Sequence, residues 1–261
     1  MTEWNAQAYR ERSGLQQAMA AEVLATLALE GSEHVLDIGC GDGRITAEIA
    51  SRLPHGSVLG LDASQNMIEL ASRNSRPNLK FETADARSLR FEQDLDLIVS
   101  FNALHWIHEQ ELALTSIHRA LKKSGRAHLR LVPLGPRKSI ETVLEETRTS
   151  AAWSEYFGGF RDPYLRLTQD QYCLLASKCG FHIQSVTTDS KSWDFHTRAA
   201  FAAFSSVTMV EWTKQIPEPL VPAFINDVLD RYRAAVAESS NDENTFKFYQ
   251  MTILLARASG R

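Results

Sequence analysis

The chain has 261 residues, of which 44% are hydrophobic and 23% are charged, and this composition is typical of a globular protein and excludes collagen-like, disordered and rod-like chains. The formal net charge of −4 leaves no basic excess to neutralise a phosphate backbone, so we expect no nucleic-acid partner. Neither a run of about 18 apolar residues nor a signal segment is present, so we expect no membrane association.

The first two-thirds of the predicted elements alternate between helices and strands. Apolar residues at helical spacing predict a helix over 16–29, and Gly31 ends it. Five strands follow, at residues 34–39, 57–62, 79–83, 95–101 and 126–132. The helices between them are predicted at 44–53, 66–73 and 111–121. Strands that alternate with helices indicate a parallel sheet covered by helices on both faces, and hence an α/β fold.

The alternation stops after Pro133. Residues 134–168 and 191–244 are rich in aromatic residues and irregular in pattern, and we interpret them as two insertions that pack into one helical cap. Between them, a helix over 168–178 and a strand over 181–189 return to the core pattern. Residues 245–256 alternate between apolar and polar and predict a last, antiparallel strand.

Three cysteines, at positions 40, 173 and 179, are too few and too irregularly spaced for a disulfide framework or a zinc site. We therefore expect no structural disulfide and no bound metal. A reducing cytoplasm is the expected location of such a chain.

The strongest motif is a glycine-rich turn between the first core strand and its helix, which reads Asp37-Ile38-Gly39-Cys40-Gly41-Asp42-Gly43. Glycines at such a turn permit positive φ and let a ligand approach the backbone. A dinucleotide site needs its third glycine at position 44, where Arg44 stands, and Asp37 would repel phosphates. The Walker lysine motif is also absent. The turn suits a ligand with a positive end and no phosphates.

This turn resembles the first motif of the class I S-adenosylmethionine-dependent methyltransferases, in which an acid precedes three alternating glycines. The resemblance implies a Rossmann-like, seven-stranded, mostly parallel sheet and S-adenosylmethionine as the cofactor. It implies that the turn, Cys40 included, wraps the amino-acid and ribose portions of the cofactor, with Asp37 near the methionyl ammonium. Asp62, at the end of the second strand, matches the acid that accepts both ribose hydroxyls, and a carboxylate is suited to hold a diol.

Further cofactor contacts are implied at the ends of the second, third and fourth strands, by Ala63, Met67, Asp85, Ala86, Phe101 and Asn102. Asp85 matches the acid that accepts from the adenine amino group, and an Asx turn is its alternative role. Phe101 and Asn102 match the positions that face the methyl group. These residues all follow the carboxyl ends of parallel strands, where ligands bind in open α/β sheets, so their placement supports the set independently.

The flanking segments are similar to a small-molecule group within the family, which includes trans-aconitate and juvenile hormone acid methyltransferases. The similarity is carried by Trp4-Asn5, Tyr9 and Gln16-Gln17 before the first core strand, and by Leu104-His105-Trp106 after the fourth. It implies that an N-terminal segment folds over the cofactor, with Tyr9 and Gln16 closing the site. Docking of a chain terminus by Trp4 and Tyr9 is the alternative.

The chemistry of the reaction bears on the catalytic residues. A carboxylate acceptor carries its own charge and needs no base, whereas a hydroxyl or amine needs proton removal. His105 is the candidate catalytic residue, and a packed structural histidine beside Trp106 is its alternative role. Trp106, Trp153 and Tyr156 are the candidates for substrate binding, and packing in the cap core is the alternative role of Trp153 and Tyr156. The basic residues at 137, 138, 148, 161 and 166 are candidates for a carboxylate clamp, and solvation at the surface is the default role of each.

We therefore predict an enzyme that transfers a methyl group from S-adenosylmethionine to a small molecule, with a carboxylic acid that yields a methyl ester as the specific form. A methyltransferase of a protein or RNA and a non-catalytic cofactor-binding module are the alternatives. The predicted organisation assigns 1–133 to the N-terminal segment and cofactor-binding core and 134–168 and 191–244 to the cap. Residues 169–190 and 245–261 complete the core sheet.

Overall fold

A seven-stranded sheet organises the part of the chain that the computed structural model describes, residues 14–239 and 242–258. The strands are β1 (His34–Ile38), β2 (Ser57–Asp62), β3 (Leu79–Thr83), β4 (Leu95–Phe101), β5 (Leu121–Leu131), β6 (Phe181–Asp194) and β7 (Thr245–Arg257). Their order across the sheet is β3-β2-β1-β4-β5-β7-β6. The pairs among β1 to β5 are parallel, and β7 is antiparallel to both of its neighbours. The predicted α/β fold with an antiparallel last strand is confirmed.

In the described part of the chain, helices precede and connect the strands of this sheet. They are α1 (Gly14–Thr26), α2 (Arg44–Ser51), α3 (Gln65–Ala71), α4 (Gln110–Ala120), α5 (Ile140–Arg148), α6 (Gln169–Lys178), α7 (Arg198–Thr208), α8 (Val210–Thr213) and α9 (Val221–Val236). Hydroxyl side chains begin several of them, because an oxygen at the N-cap satisfies an amide that has no partner within the helix. Ser64 caps α3 in this way, and Thr168 forms a capping box with Gln171 at the start of α6.

Two strands are longer than predicted. β5 begins at Leu121, directly after α4, because buried Leu121 pairs with Leu95 across an irregularity in the β4 register. The lysines and the glycine that follow it suggested a loop, but Lys122 lies within the strand and its Nζ donates to Asp96 Oδ1 at 2.8 Å. β6 continues to Asp194, beyond the predicted end of the core segment at 190, since β7 supplies a partner along its whole length.

Buried apolar side chains form a separate cluster outside the sheet. Residues from α5, α7, α8 and α9 share it with Phe246 and Phe248 of β7, so the two segments that flank α6 and β6 pack together. Buried indoles at its centre have polar partners: Trp153 Nε1 donates to Asp227 at 2.8 Å, and Trp212 Nε1 donates to Glu145 at 2.7 Å. Among the described residues, no helix is both long and apolar enough to cross a membrane.

Candidate active site

The glycine turn leaves β1 at the carboxyl edge of the sheet. Gly39 has φ +76°, and its amide donates to Leu61 O at 2.7 Å. A Cβ atom on Gly39 would lie 2.1 Å from Ala103 Cβ, so the turn passes β4 too closely for any side chain. Gly43, also at φ +76°, packs against Phe81, whose ring would lie 2.8 Å from an added Cβ. These two glycines are required by backbone conformation and by close packing.

The Asp62 carboxylate holds the middle of this turn. Its Oδ2 accepts the Gly41 amide hydrogen at 3.0 Å, and its Oδ1 accepts that of Ser64 at 2.9 Å. Because a carboxylate oxygen accepts more than one hydrogen bond, these contacts leave Asp62 suited to bind hydroxyls as well. A Cβ on Gly41 would meet no protein atom within 4 Å, so the turn has room for a ligand there. Both observations fit a nucleoside with a ribose diol.

Asp37 lies beneath the turn rather than in the cavity. Its side chain is buried, with 2% of the residue exposed, and its Oδ2 accepts from Thr46 Oγ1 at 2.6 Å. Burial raises the pKa of Asp37 to about 7, the Thr46 hydrogen bond opposes that rise, and the charge of Asp62 adds to it. Contact of Asp37 with a cofactor ammonium stays a prediction.

A cavity of about 980 Å³ opens beside the turn. It brings together predicted site residues from the ends of four strands, namely Gly39, Cys40, Gly41, Asp62, Ala63, Met67, Asp85, Ala86, Phe101, Asn102 and Trp106. Five of the predicted site residues are not among its described lining: Asp37, Gly43, His105, Trp153 and Tyr156. Tyr9 and the side chain of Gln16 lie outside the described part of the chain.

Asp85 lines the cavity and also has the turn role that the sequence offered as its alternative, while its contact with adenine stays a prediction. Its Oδ1 accepts the Arg87 amide hydrogen at 2.9 Å, which caps a short 3₁₀ turn, and it also lines the cavity. The Arg87 side chain binds both carboxylate oxygens, with Nη2 at 2.6 Å from Oδ2. Hydrogen bonds from Arg87 lower the pKa of Asp85, so this group is an ionised acceptor at neutral pH.

Asn102 follows β4 in the left-handed region, at φ +60°. Its amide donates to Arg130 O at 2.9 Å, and its Oδ1 accepts from Gln250 Nε2 at 3.0 Å. Gln250 is fully buried on β7 and also donates to Leu131 O at 2.8 Å. Gln250 was not predicted from the sequence. A glutamine among the inward-facing apolar residues of an alternating strand was the available signal, because a buried amide needs hydrogen-bond partners.

His105 lies in the packed interior behind the cavity wall. Only 6% of the residue is exposed, and its ring centroid is 5.3 Å from that of Tyr164. Burial, together with the smaller effect of the Arg166 charge, lowers the pKa of His105 to about 3, so the ring is neutral. Its Nδ1 has no hydrogen-bond partner among the described residues. This position favours the packing role over the predicted catalytic role.

Of the three predicted substrate-binding residues, Trp106 alone lines the cavity, and its ring packs 4.2 Å from Tyr164. Trp153 belongs to the cap interior, with its ring 5.1 Å from Phe224. Tyr156 packs beside Trp153 at 6.3 Å between ring centroids. Large aromatic residues in an insertion indicate burial. Whether they face the cavity or the cap interior depends on how the cap packs.

The cavity lining also includes residues that were not predicted from the sequence, among them Met19 of α1, His108, Arg130 of β5, Pro163 and Glu211. The five basic cap residues proposed as a carboxylate clamp do not line the cavity. Three of them are paired with acidic groups instead: Lys138 with Glu146, Arg148 with Glu145, and Arg166 with Glu141 and Asp162. An arginine between two leucines of a buried strand, as at 130, was the available signal.

Comparisons with known proteins agree with this geometry. Residues 35–125 match the family described as a methyltransferase domain. A trans-aconitate 2-methyltransferase of Methylobacterium radiotolerans is 29% identical over 248 residues, which cover 90% of each chain.

Two solved structures share the fold. The YcgJ protein of Bacillus subtilis superposes with a TM-score of 0.68 at 17% identity, over 94% of this chain and all of that one. The phosphoethanolamine N-methyltransferase 2 of Haemonchus contortus, in complex with S-adenosyl-L-methionine, gives 0.62 at 16% identity over 97% of this chain and 57% of that one. The methyltransferase-domain match over 35–125, the shared fold and the glycine turn held by Asp62 together support an S-adenosylmethionine-dependent methyltransferase that resembles the trans-aconitate methyltransferase group.

Proposed function

We propose that this enzyme methylates a small carboxylic acid and releases a methyl ester. The observation that carries the proposal is a continuous cavity of about 980 Å³, whose lining includes the glycine turn as well as Trp106, Pro163 and Glu211. Sites for small ligands span about 300–1,000 Å³, and this cavity lies at the upper end of that range, as a site for a cofactor and a small acceptor requires. The contribution of Pro163 and Glu211 to the lining favours a small acceptor over a macromolecule.

Different residues are proposed to bind different parts of the cofactor. Asp62 would accept from the ribose hydroxyls, and Asp85 would accept from the adenine amino group. The turn at Gly41 would lie along the amino-acid portion, where a side chain is missing and space remains. When bound, S-adenosylmethionine supplies an electrophilic methyl group on a sulfonium. The protein's part is to orient the acceptor in line with that group and to exclude water.

Two proton-accepting groups of the cavity lining, His108 and Glu211, already have partners, and this favours an acceptor that needs no base. His108 Nε2 is hydrogen-bonded to Asp162 O at 2.6 Å, and Glu211 Oε1 binds Lys214 Nζ at 2.9 Å. The neutral, buried His105 is not on the cavity wall. A carboxylate brings its own negative charge, whereas a hydroxyl or amine would need one of these engaged groups. The name of the relative from Methylobacterium also points to an acid.

The test is transfer of a tritiated methyl group from S-adenosylmethionine to a panel of mono-, di- and tricarboxylic acids that includes trans-aconitate. We expect label in the small-molecule fraction that is released as methanol by alkali, as an ester requires. A bacterial lysate treated in the same way and sorted by size provides the comparison. Label confined to protein or RNA would contradict the proposal. Cofactor binding without any transfer would support the non-catalytic alternative.

The cellular location belongs to the same proposal. The three cysteines are free thiols, and Cys40 is buried beside the glycine turn, where burial raises its pKa well above the usual value. A chain that keeps its thiols reduced fits the cytoplasm. Fractionation of cells that express a tagged form would test this, with recovery outside the cytoplasm as the contrary result.

A further inference from the structure

A buried arginine lines the cavity on the strand next to Phe101 and Asn102. Arg130 is 3% exposed and lines the cavity wall. Its Nη1 donates to Met19 O at 3.1 Å, its Nη2 donates to Glu22 Oε2 at 3.2 Å, and its Nε has no partner among the described residues. A guanidinium carries five N–H hydrogens, so these contacts use less than half of its donors. Buried charges are usually paired in full, and this one is paired weakly.

Arg130 is also placed next to the reacting end of the site. It is the register partner of Phe101 across the β4–β5 pair, and its carbonyl accepts the Asn102 amide hydrogen. Phe101 and Asn102 are the residues proposed to face the methyl group. A carboxylate bound to Arg130 would therefore belong to the acceptor and not to the nucleoside part of the cofactor.

The carboxylate that now faces Arg130 is held more closely by another group. Glu22 Oε1 lies 2.5 Å from Lys191 Nζ, whereas its Oε2 lies 3.2 Å from Arg130 Nη2. The Glu22 side chain is 44% exposed and does not line the cavity. The hydrogen bond from Lys191 is the main cause of a lowered pKa at Glu22, so the group is ionised. Glu22 can therefore release Arg130 and keep both Lys191 and water as partners.

We propose that Arg130 binds a carboxylate of the acceptor, and that Glu22 competes with that carboxylate for the guanidinium. This inference rests on the proposed function, in that the acceptor is an acid. Arg130 lines the cavity and Glu22 does not, so an acid that enters the cavity can contact the guanidinium. Before an acid binds, Glu22 pairs with the buried guanidinium, and the acid then displaces Glu22. The affinity for an acid then depends on how much more tightly Arg130 binds the carboxylate of the acid than the carboxylate of Glu22.

Anchoring of α1 does not by itself explain Arg130. Arg126, on the same strand, donates to Ala28 O at 2.6 Å, and Arg52 of the α2 C-cap donates to Leu24 O at 2.6 Å. Both of these arginines hold the same segment from the surface. Neither is paired with Glu22 or buried to the extent of Arg130. Arg126 also does not line the cavity, which makes it a matched control for a change at Arg130.

The experiment is calorimetric titration of the full chain, saturated with S-adenosylhomocysteine, with trans-aconitate, citrate, fumarate and hexanoate. We expect Arg130→Gln to weaken binding of the acids that the wild type binds by about 10- to 100-fold, since a charge-assisted bond is lost. Arg130→Lys should lose less, because it keeps the charge. Affinity for S-adenosylhomocysteine should stay unchanged in both. Arg126→Gln should leave both affinities unchanged.

Glu22→Gln gives a result that a damaged fold cannot imitate. Removal of the competing charge should strengthen acid binding by about twofold to fivefold, the range set by an exposed ion pair. Lys191→Gln loosens the same contact but leaves the Glu22 carboxylate facing Arg130, so it should give no such gain.

Equal acid binding by Arg130→Gln and the wild type, no gain in Glu22→Gln, or no acid bound by the wild type would each overturn the proposal. The proposed function is tested separately by methyl transfer. Acids methylated with the same KM by the wild type and Arg130→Gln would leave the function intact and remove Arg130 from it. Acids that bind through Arg130 but are never methylated would support the role of Arg130 and contradict the proposed function.

Discussion

The Asp62 carboxylate accepts the Gly41 amide hydrogen at 3.0 Å, so the acid that ends β2 holds the turn that follows β1. The same carboxylate accepts from the Ser64 amide, one residue before α3 begins. One side chain therefore orders two segments of the cavity wall. This links the backbone shape of the glycine turn to the group proposed to recognise the ribose.

Replacement of Asp62 tests this link. We expect Asp62→Ala to weaken binding of S-adenosylhomocysteine by about 1–3 kcal/mol, because a charged acceptor is lost from a partly buried site. The affinity of Asp62→Asn should lie between those of the wild type and Asp62→Ala, since asparagine keeps one acceptor oxygen. Isothermal titration at fixed pH measures the change.

Asp96→Asn is the matched control. Asp96 Oδ2 accepts the His34 amide hydrogen at 2.9 Å, so it also holds a strand end, but at the amino edge of the sheet. We expect its affinity for S-adenosylhomocysteine to equal that of the wild type. An equal loss in both variants would show that Asp62 acts through general stability and not through the site.

Gly39→Ala should lower the free energy of unfolding by about 2–5 kcal/mol, because the added methyl overlaps Ala103 and φ is positive. Gly41→Ala has the same backbone strain without the overlap, and we expect about 1–2 kcal/mol. Urea unfolding of the two variants separates overlap from strain.

The double variant Gly39→Ala/Ala103→Gly provides the rescue. It removes the Cβ that lies 2.1 Å from the added methyl and leaves Ala103 Cα at an ordinary 3.6 Å. We expect it to recover part of the stability that Gly39→Ala loses, beyond the sum of the two single changes. Strict additivity of the single changes would mean that the overlap is not what destabilises the turn.

The cavity wall was predictable where it depends on local pattern and topology. Alternating helices and strands imply parallel strands, and parallel strands place their carboxyl ends on one edge. Asp62, Asp85 and Asn102, each just after or at the end of a strand, therefore had to lie near the glycine turn. The cavity lining agrees with that reasoning for all three.

The residues that were missed depend on contacts between distant parts of the chain. Gln250 reaches Asn102 only because β7 inserts beside β5, and Arg130 reaches the cavity through its register with Phe101. Leu104–Trp106 form a short 3₁₀ turn after β4. The sequence does not predict that Trp106 of this turn faces the cavity while His105 faces the interior. Such choices are made by packing and not by periodicity.

His105 should make the protein sensitive to acid. Its pKa in the folded state is about 3, below the ordinary value near 6.5, so the unfolded chain binds a proton more readily between these values. The contribution is present above about pH 6.5 and is lost as the pH falls. We expect His105→Phe to lose about 2 kcal/mol less stability than the wild type between pH 8 and pH 5.

Urea unfolding at the two pH values measures that difference, and an identical loss in both proteins would contradict it. The same variant tests the catalytic prediction for His105. If the ring only packs against Tyr164, kcat should stay within a few-fold of the wild type, whereas loss of turnover in a folded, cofactor-binding variant would restore the catalytic role.

Asp37 should make the stability of the protein depend on pH in the opposite direction. Its pKa in the folded state is about 7 against an ordinary 3.8, so between these values the folded chain keeps a proton that the unfolded chain releases. Stability is therefore lost as the pH rises from about 4 to about 7, and it levels above that. Asp37→Asn removes this dependence and keeps an oxygen that accepts from Thr46. We expect the variant to gain on the wild type with rising pH, by up to about 4 kcal/mol at pH 8. A stability difference between the two proteins that stays constant from pH 4 to pH 8 would mean that Asp37 is ionised in the folded state.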